Sequence, residues 1–357
     1  FDAAPNRLYL NRGDGTFEDV AGSLGVDDPD GRSFAVALCD LDGDGWLDLY
    51  VNNDVSTNRL YRNRTGETPG GALAFQDFST VTGVADPRGS MGLSIADLGA
   101  ATGRDQTPDG LPDLFISHWV AQENALYLSH AGPDGRWEYR DRIREARMAE
   151  ISTDRVGWGS AWVDLDRDGF LDLAVANGST LEMPDDPARL QPEPLFLLWN
   201  DGARFHDLAQ AAGPDVAVPI DGRGLAAADY DGDGDVDLAV SVNRGAPRLL
   251  RNDTVTANRS LAVVLDAPAA LALGARVAVT PSGRMAQIRW WGADVGFLGS
   301  HAAEMVFGLG PAEGADASVR WLDGRVTRWT GLEAGRVRLG PDGTMGAAGG
   351  GSAEERP

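Results

Sequence analysis

Asp229-Tyr-Asp231-Gly-Asp233-Gly234-Asp235-Val-Asp237 is the stretch on which the fold turns, and apolar, strand-like segments flank it on both sides. Carboxylates at its positions 1, 3, 5 and 9 place like charges about 4 to 5 Å apart, where each pair repels by about 1 to 4 kcal/mol. A cation removes that repulsion. The stretch therefore reads as a calcium loop at a turn between two strands.

Its opening follows the EF-hand pattern of oxygens at positions 1, 3 and 5, a carbonyl at 7 and a glycine at 6. Its end does not: position 12 is Val240, inside an alternating run, where an EF-hand needs a bidentate Glu. The loop closes early on Asp237 and feeds a strand. The same spacing recurs at Asp40, Asp42, Asp44, Gly45 and Asp48, and again at Asp164, Asp166, Asp168, Gly169 and Asp172. The position-7 carbonyls belong to Trp46, Phe170 and Asp235. A fourth copy is damaged: Asp97 is followed by Gly99 where the second Asp belongs, then by an insertion, then by Asp109-Gly110-Leu-Pro-Asp113. Three calcium ions are expected, with a degenerate fourth site. The first carboxylates fall at 40, 97, 164 and 229, which are 57, 67 and 65 residues apart, and that is the period of a repeat architecture.

Around each loop the chain supplies about four short strands, the content of one propeller blade. Residues 1–26 read as two strands of a repeat whose beginning is missing. After residue 255 the repeat stops, and runs at 260–265, 274–280, 285–291, 304–307, 317–322 and 325–330 predict a small separate β-domain ending near 340. One short helix is expected from Tyr139 to Glu150, and disorder from 341 to 357, which is rich in Gly, Ala and Glu. The fold class is all-β.

The net charge of −23 among 357 residues disfavours nucleic acid as a partner. Four bound calcium ions would bring that charge to about −15. All 31 basic residues are Arg, which excludes lysine-nucleophile and Schiff-base chemistry. The single Cys39 permits no intrachain disulfide and reads as a small buried hydrophobe. The most apolar stretch, Leu261 to Val279, is interrupted by Asp266, Pro268 and Arg276, so no membrane span is expected. His118, His130, His206 and His301 are scattered, with no zinc-ligand spacing. Arg12-Gly13-Asp14 spells an integrin-recognition tripeptide at a place where the repeat needs turn residues. Trp119, Trp158, Trp162 and Trp199 read as packing between blades rather than as a ligand cage.

The loops, together with Asn58-Arg-Leu-Tyr-Arg-Asn63 and Gly13-Asp-Gly-Thr-Phe17, resemble FG-GAP/VCBS repeats, the calcium-binding propeller blades also found in integrin α-subunit heads. Gly274-Ala-Arg-Val277, Val306-Phe-Gly-Leu-Gly310 and Val319-Arg-Trp321-Leu-Asp-Gly324 resemble the ASPIC/UnbV domain that follows such repeats in the cartilage acidic protein-like family. The resemblance implies about seven blades, of which four and a partial one are present. It divides the chain into a propeller at 1–255, an ASPIC/UnbV-like domain at 256–340 and a tail. It also implies a secreted, periplasmic or cell-surface module that binds a protein or a glycan. The alternative it carries is an enzyme of bacterial natural-product biosynthesis, cyclase- or isomerase-like. That enzyme would have a pocket at the propeller axis, walled by His118-Trp119 and by residues 181–194.

Overall fold

A computed structural model describes residues 2–99, 107–131, 136–149, 153–294 and 296–347. Strands β1 (Tyr9–Asn11) and β2 (Phe17–Asp19) form a hairpin. Within it, Arg12 pairs with Glu18, and Asp14 accepts the Thr16 N–H at 2.9 Å, so Arg12-Gly13-Asp14 serves the turn.

Four antiparallel blades follow. The first is β3 (Ser33–Cys39), β4 (Asp48–Asn53), β5 (Arg59–Asn63) and β6 (Phe75–Asp77). The second is β7 (Ser90–Ala96), β8 (Asp113–His118), β9 (Ala125–Ala131) and β10 (Trp137–Asp141). In the third, β11 (Gly157–Val163) and β12 (Asp172–Asn177) are followed by an inserted hairpin, β13 (Glu182–Met183) and β14 (Asp186–Leu190). The same blade then closes with β15 (Phe196–Asn200) and β16 (Phe205–Asp207). The fourth has three strands, β17 (Gly222–Ala228), β18 (Asp237–Val242) and β19 (Arg248–Leu250). The sequence pattern has a physical cause here. Strands β4, β8 and β12 are buried along their whole length because a blade is covered on both faces, so their period-2 alternation is lost. The outermost strands β6 and β16 are three residues long, which limits open-edge pairing.

After the blades, the described residues form a sandwich of two four-stranded sheets. They are built from β20 (Arg259–Leu265), β21 (Arg276–Pro281), β22 (Gln287–Trp290), β23 (Glu304–Gly310), β24 (Gly314–Arg320), β25 (Val326–Glu333), β26 (Gly335–Leu339) and β27 (Met345–Ala347). One sheet is ordered β23-β20-β26-β27 and the other β22-β21-β24-β25. Their inner faces share a core that includes Val263, Val277, Phe307, Val319 and Trp321. Two expectations change. Tyr139–Asp141 continues a strand, because it pairs with Tyr127–Ser129, and turns rather than a helix follow it to Arg147. Strand β27 lies inside the stretch expected to be disordered, pairing with Val337–Leu339; 348–357 lie outside the described residues.

The inner strands β3, β7, β11 and β17 lie side by side in that order. Residues 296–302 of the sandwich reach in among them. Phe297 stacks on Trp158 and Phe34, with ring centroids 5.0 and 5.7 Å apart. Ala302 N–H donates to the Ala227 carbonyl at 3.0 Å.

Candidate metal centres and the face they share

All four loops connect the first and second strands of a blade, and one hydrogen-bond scheme holds each of them. The position-6 glycine adopts a positive φ, 96° at Gly45, 90° at Gly110, 97° at Gly169 and 94° at Gly234, a conformation that any side chain would strain. Its N–H then donates to the first carboxylate, Asp40, Asp97, Asp164 or Asp229, at 2.7 to 3.1 Å. The position-5 carboxylates of Asp44, Asp109, Asp168 and Asp233 accept the N–H two residues on.

The position-9 carboxylate shows what sequence reasoning missed. In every blade one oxygen accepts the N–H of loop position 2 and the other accepts an N–H in, or just after, the third strand. Asp48 takes Leu41 at 2.9 Å and Asn63 at 2.7 Å, and Asp172 takes Leu165 and Asn200, both at 2.8 Å. Asp237 takes Tyr230 at 3.0 Å and Asn252 at 2.7 Å. Asp113 does the same with Leu98 and Ser129. The last Asp of each loop is therefore also the staple that closes the loop onto its own blade, and the recurring Asn at the end of the third strand was the available signal. The residue before that Asn reaches the position-3 carboxylate: Arg62 bonds Asp42 and Asp44, Trp199 donates to Asp166 at 3.0 Å, and Arg251 lies 4.0 Å from Asp231.

This scaffold brings Asp40, Asp42 and Asp48 together, as it does Asp164, Asp166 and Asp172, and Asp229, Asp231 and Asp237. In each trio one ligand oxygen per residue lies within 4.8 Å of the others. Asp97, Asp109 and Asp113 keep the hydrogen bonds but form no such trio among the described residues. The trios fit a calcium ion. Asp40 Oδ1 is buried without a hydrogen-bond partner, and an all-oxygen donor set suits a hard cation. Burial, reinforced by neighbouring carboxylates, pushes Asp40 up to about 6, Asp164 up to about 7 and Asp48 up to about 8, and drives Asp172 well above the usual range. A bound divalent ion reverses that effect.

The loop face is covered. A Cβ on Gly274 would meet Leu47 Cδ2 at 2.4 Å, and one on Gly110 would meet Arg276 at 2.8 Å. Gly310 N–H donates to the Arg167 carbonyl at 2.8 Å, Arg284 donates to the Asp168 carbonyl, and Ser260 donates to the Gly234 carbonyl at 2.5 Å. The sandwich therefore sits on all four loops. The opposite face is open: Val55, Trp119 and Leu181 are exposed there. Trp119 Nε1 donates to Thr180 Oγ1 at 2.8 Å, next to the inserted hairpin. Trp158 and Trp162 are buried, as packing between blades requires, while Trp119 is on the surface. His118 is buried 3.3 Å from Asp86, whose carboxylate also holds Arg88 and the Tyr127 hydroxyl; this network ties the second blade together. At the axis Phe297 packs on Trp158 and Phe34 of the inner strands, and His118 is buried while Trp119 is exposed beside the inserted hairpin.

A family model described as FG-GAP-like repeat matches residues 2–51, 40–100 and 105–175, and one described as ASPIC and UnbV matches 266–339. Cartilage acidic protein 1 of Homo sapiens is 32% identical over 185 residues, covering 50% of this chain and 25% of that protein. The Xenopus tropicalis protein of the same name is 31% identical over 189 residues, covering 50% and 26%. Integrin alpha-7 of Rattus norvegicus is 25% identical over 247 residues, covering 61% and 20%. The chain thus spans about a quarter or less of the length of the curated relatives it matches.

Proposed function

Because the chain joins FG-GAP-like repeats to an ASPIC and UnbV domain, we propose that it is a calcium-stabilised, extracytoplasmic binding platform whose partner is a protein or a glycan. The carrying observation is the repetition of one acidic trio on one loop scaffold in three separate blades. Unrelated surface acids would not recur at loop positions 1, 3 and 9 with the same backbone donors. Calcium is favoured over magnesium because the cage offers carboxylates and carbonyls, whereas magnesium retains several waters. An extracytoplasmic setting supplies millimolar calcium, enough to fill the weak sites of extracellular modules. No helix is long and apolar enough to cross a membrane among the described residues.

Calcium titration of chelator-stripped protein by calorimetry tests the reading. Three ions per chain are expected, falling to two in Asp231→Ala/Asp233→Ala. A chain that takes up no calcium sinks it.

Since the sandwich occupies the loop face, recognition belongs to the opposite face. Exposed apolar residues on an otherwise strongly acidic molecule mark contact sites, and an aromatic ring carries disproportionate binding energy. On a glycan array and against extracellular-matrix proteins, Trp119→Ala is expected to weaken any binding seen for the wild type by about 30-fold, equivalent to about 2 kcal/mol. Leu249→Ala, which is exposed on the fourth blade, should change nothing. Equal losses in both variants would move the binding site elsewhere.

A further inference from the structure

Beside the axis, between the second, third and fourth blades and the sandwich, lies a cavity of about 230 Å³. Ile95, Val163, Trp290, Trp291 and Met305 give it apolar walls. Three polar side chains in the same walls carry buried nitrogens with no hydrogen-bond partner: Trp162 Nε1, Arg289 Nε and Nη2, and His301 Nε2. All of them are N–H donors. Indole and guanidinium nitrogens can only donate. His301 Nδ1 accepts the Ala227 N–H at 3.1 Å, which leaves the proton of the neutral ring on Nε2.

The carboxylates of the cavity do not hydrogen-bond these nitrogens. Asp294 accepts the Ile95 N–H at 3.2 Å, and its Oδ2 lies 3.6 Å from His301 Nε2, beyond hydrogen-bonding distance. Glu304 pairs with Arg336, and Asp229 accepts the N–H groups of Gly232 and Gly234. The cavity is short of acceptors, not of charge in general. A carboxylate brings lone pairs and no donors, so it matches a wall of N–H groups.

Arg289 fixes the geometry further. Its guanidinium lies over the Phe307 ring, 4.7 Å from the centroid, so that face is covered and binding is directed into the guanidinium plane. The two unpartnered nitrogens, Nε and Nη2, lie on one edge, the edge that pairs with both oxygens of a carboxylate. Arg289 has no carboxylate within ion-pair distance among the described residues, although Asp164 and Asp294 are near enough to attract it.

We propose that this cavity is a binding site for a small organic carboxylate. The acid group is held by the Nε–Nη2 edge of Arg289, with Trp162 and His301 donating to its remaining lone pairs, and its apolar body lies against Trp290, Trp291 and Met305. Asp229 of the fourth loop is in the cavity wall and Asp164 of the third lies near Arg289, but calcium uptake and acid binding are read by separate titrations, so the two readings fail separately.

The full-length chain, in calcium-containing buffer, is titrated with 4-fluorobenzoate, 4-fluorophenylacetate and 6-fluorohexanoate, each beside its neutral amide, and followed by fluorine NMR. At least one acid is expected to saturate at one site and to bind at least about tenfold more tightly than its amide. Arg289→Met should weaken that acid by at least about 30-fold and abolish the preference over the amide. If Arg289→Met fails to fold, Trp162→Phe, which keeps the ring and removes one donor, should still weaken the acid by about threefold. The proposal is overturned if no acid saturates below about 10 mM, if acid and amide bind alike, or if folded Arg289→Met or Trp162→Phe binds as the wild type does.

Discussion

In EDTA the protein is expected to melt at least about 10 °C below its melting temperature in millimolar calcium, and the gap should widen as pH rises from about 4 to 8. The size follows from mass action: one site filled at a hundred times its dissociation constant adds about 2.7 kcal/mol, so three approach the whole stability of an ordinary domain. The pH dependence follows from burial. In the metal-free fold Asp40 is pushed up to about 6, Asp164 to about 7 and Asp48 to about 8, against about 3.9 in the unfolded chain. A raised folded-state pKa means that the native loops keep protons the unfolded chain has released. Their contribution is complete below about pH 4 and is lost as pH climbs through 6 to 8. Metal-free protein should therefore lose stability over this range. Calcium replaces the protons, so its affinity should rise over the same range while the calcium-loaded melt stays nearly level. Thermal scans at pH 5, 6, 7 and 8, with and without calcium, decide it, and a metal-free melt that rises towards pH 8 would refute the assignment.

The loops were legible as turns because their spacing repeats: acidic residues at fixed intervals around a glycine recur between the first and second strands of the blades. Blade number and strand order were legible for the same reason, since each loop marks the turn between a first and a second strand. Less visible was the second duty of Asp48, Asp113, Asp172 and Asp237, each of which spends both oxygens on backbone N–H groups. A position-9 Asp looks the same in sequence whether it binds an ion, closes a blade or does both. The damaged loop separates the two duties, because it keeps the staple and lacks the trio. Contacts between distant parts of the chain left no local trace. Nothing near residue 297 announces an axial plug, and nothing near 308 announces that Gly308 must clear Asp164 Oδ2, which a Cβ there would meet at 1.9 Å. The cavity beside Arg289 is assembled from residues of the second, third and fourth blades and of the sandwich, far apart in sequence, so no motif could reveal it.

Gly92→Ala should unfold the protein more readily than a one-methyl change ordinarily does, because the methyl would sit where two blades meet at the axis. A Cβ on Gly92 of the second blade would come 1.8 Å from the Trp158 carbonyl oxygen of the third, a backbone atom that cannot rotate away. The same residue is a junction. Its N–H donates to Ser117 Oγ at 2.9 Å, its carbonyl accepts Asn52 Nδ2 of the first blade at 2.8 Å, and Ser117 Oγ donates to the Trp158 carbonyl at 3.0 Å. One added methyl therefore separates the third blade from the second and strains the bond that joins the first. Overpacking ordinarily costs about 1 to 3 kcal/mol, and the loss of buried hydrogen bonds adds about 1 kcal/mol each, so about 3 kcal/mol or more is expected. Gly22→Ala is the control: in a short helix, with its nearest neighbour 3.8 Å from the new Cβ, it should be neutral or stabilising by about 0.5 kcal/mol. Urea unfolding of both variants in saturating calcium reads the difference without contribution from the metal sites. Equal midpoints would show that the blades yield at the axis, and the inner strands could not then be the rigid frame on which the loops are mounted.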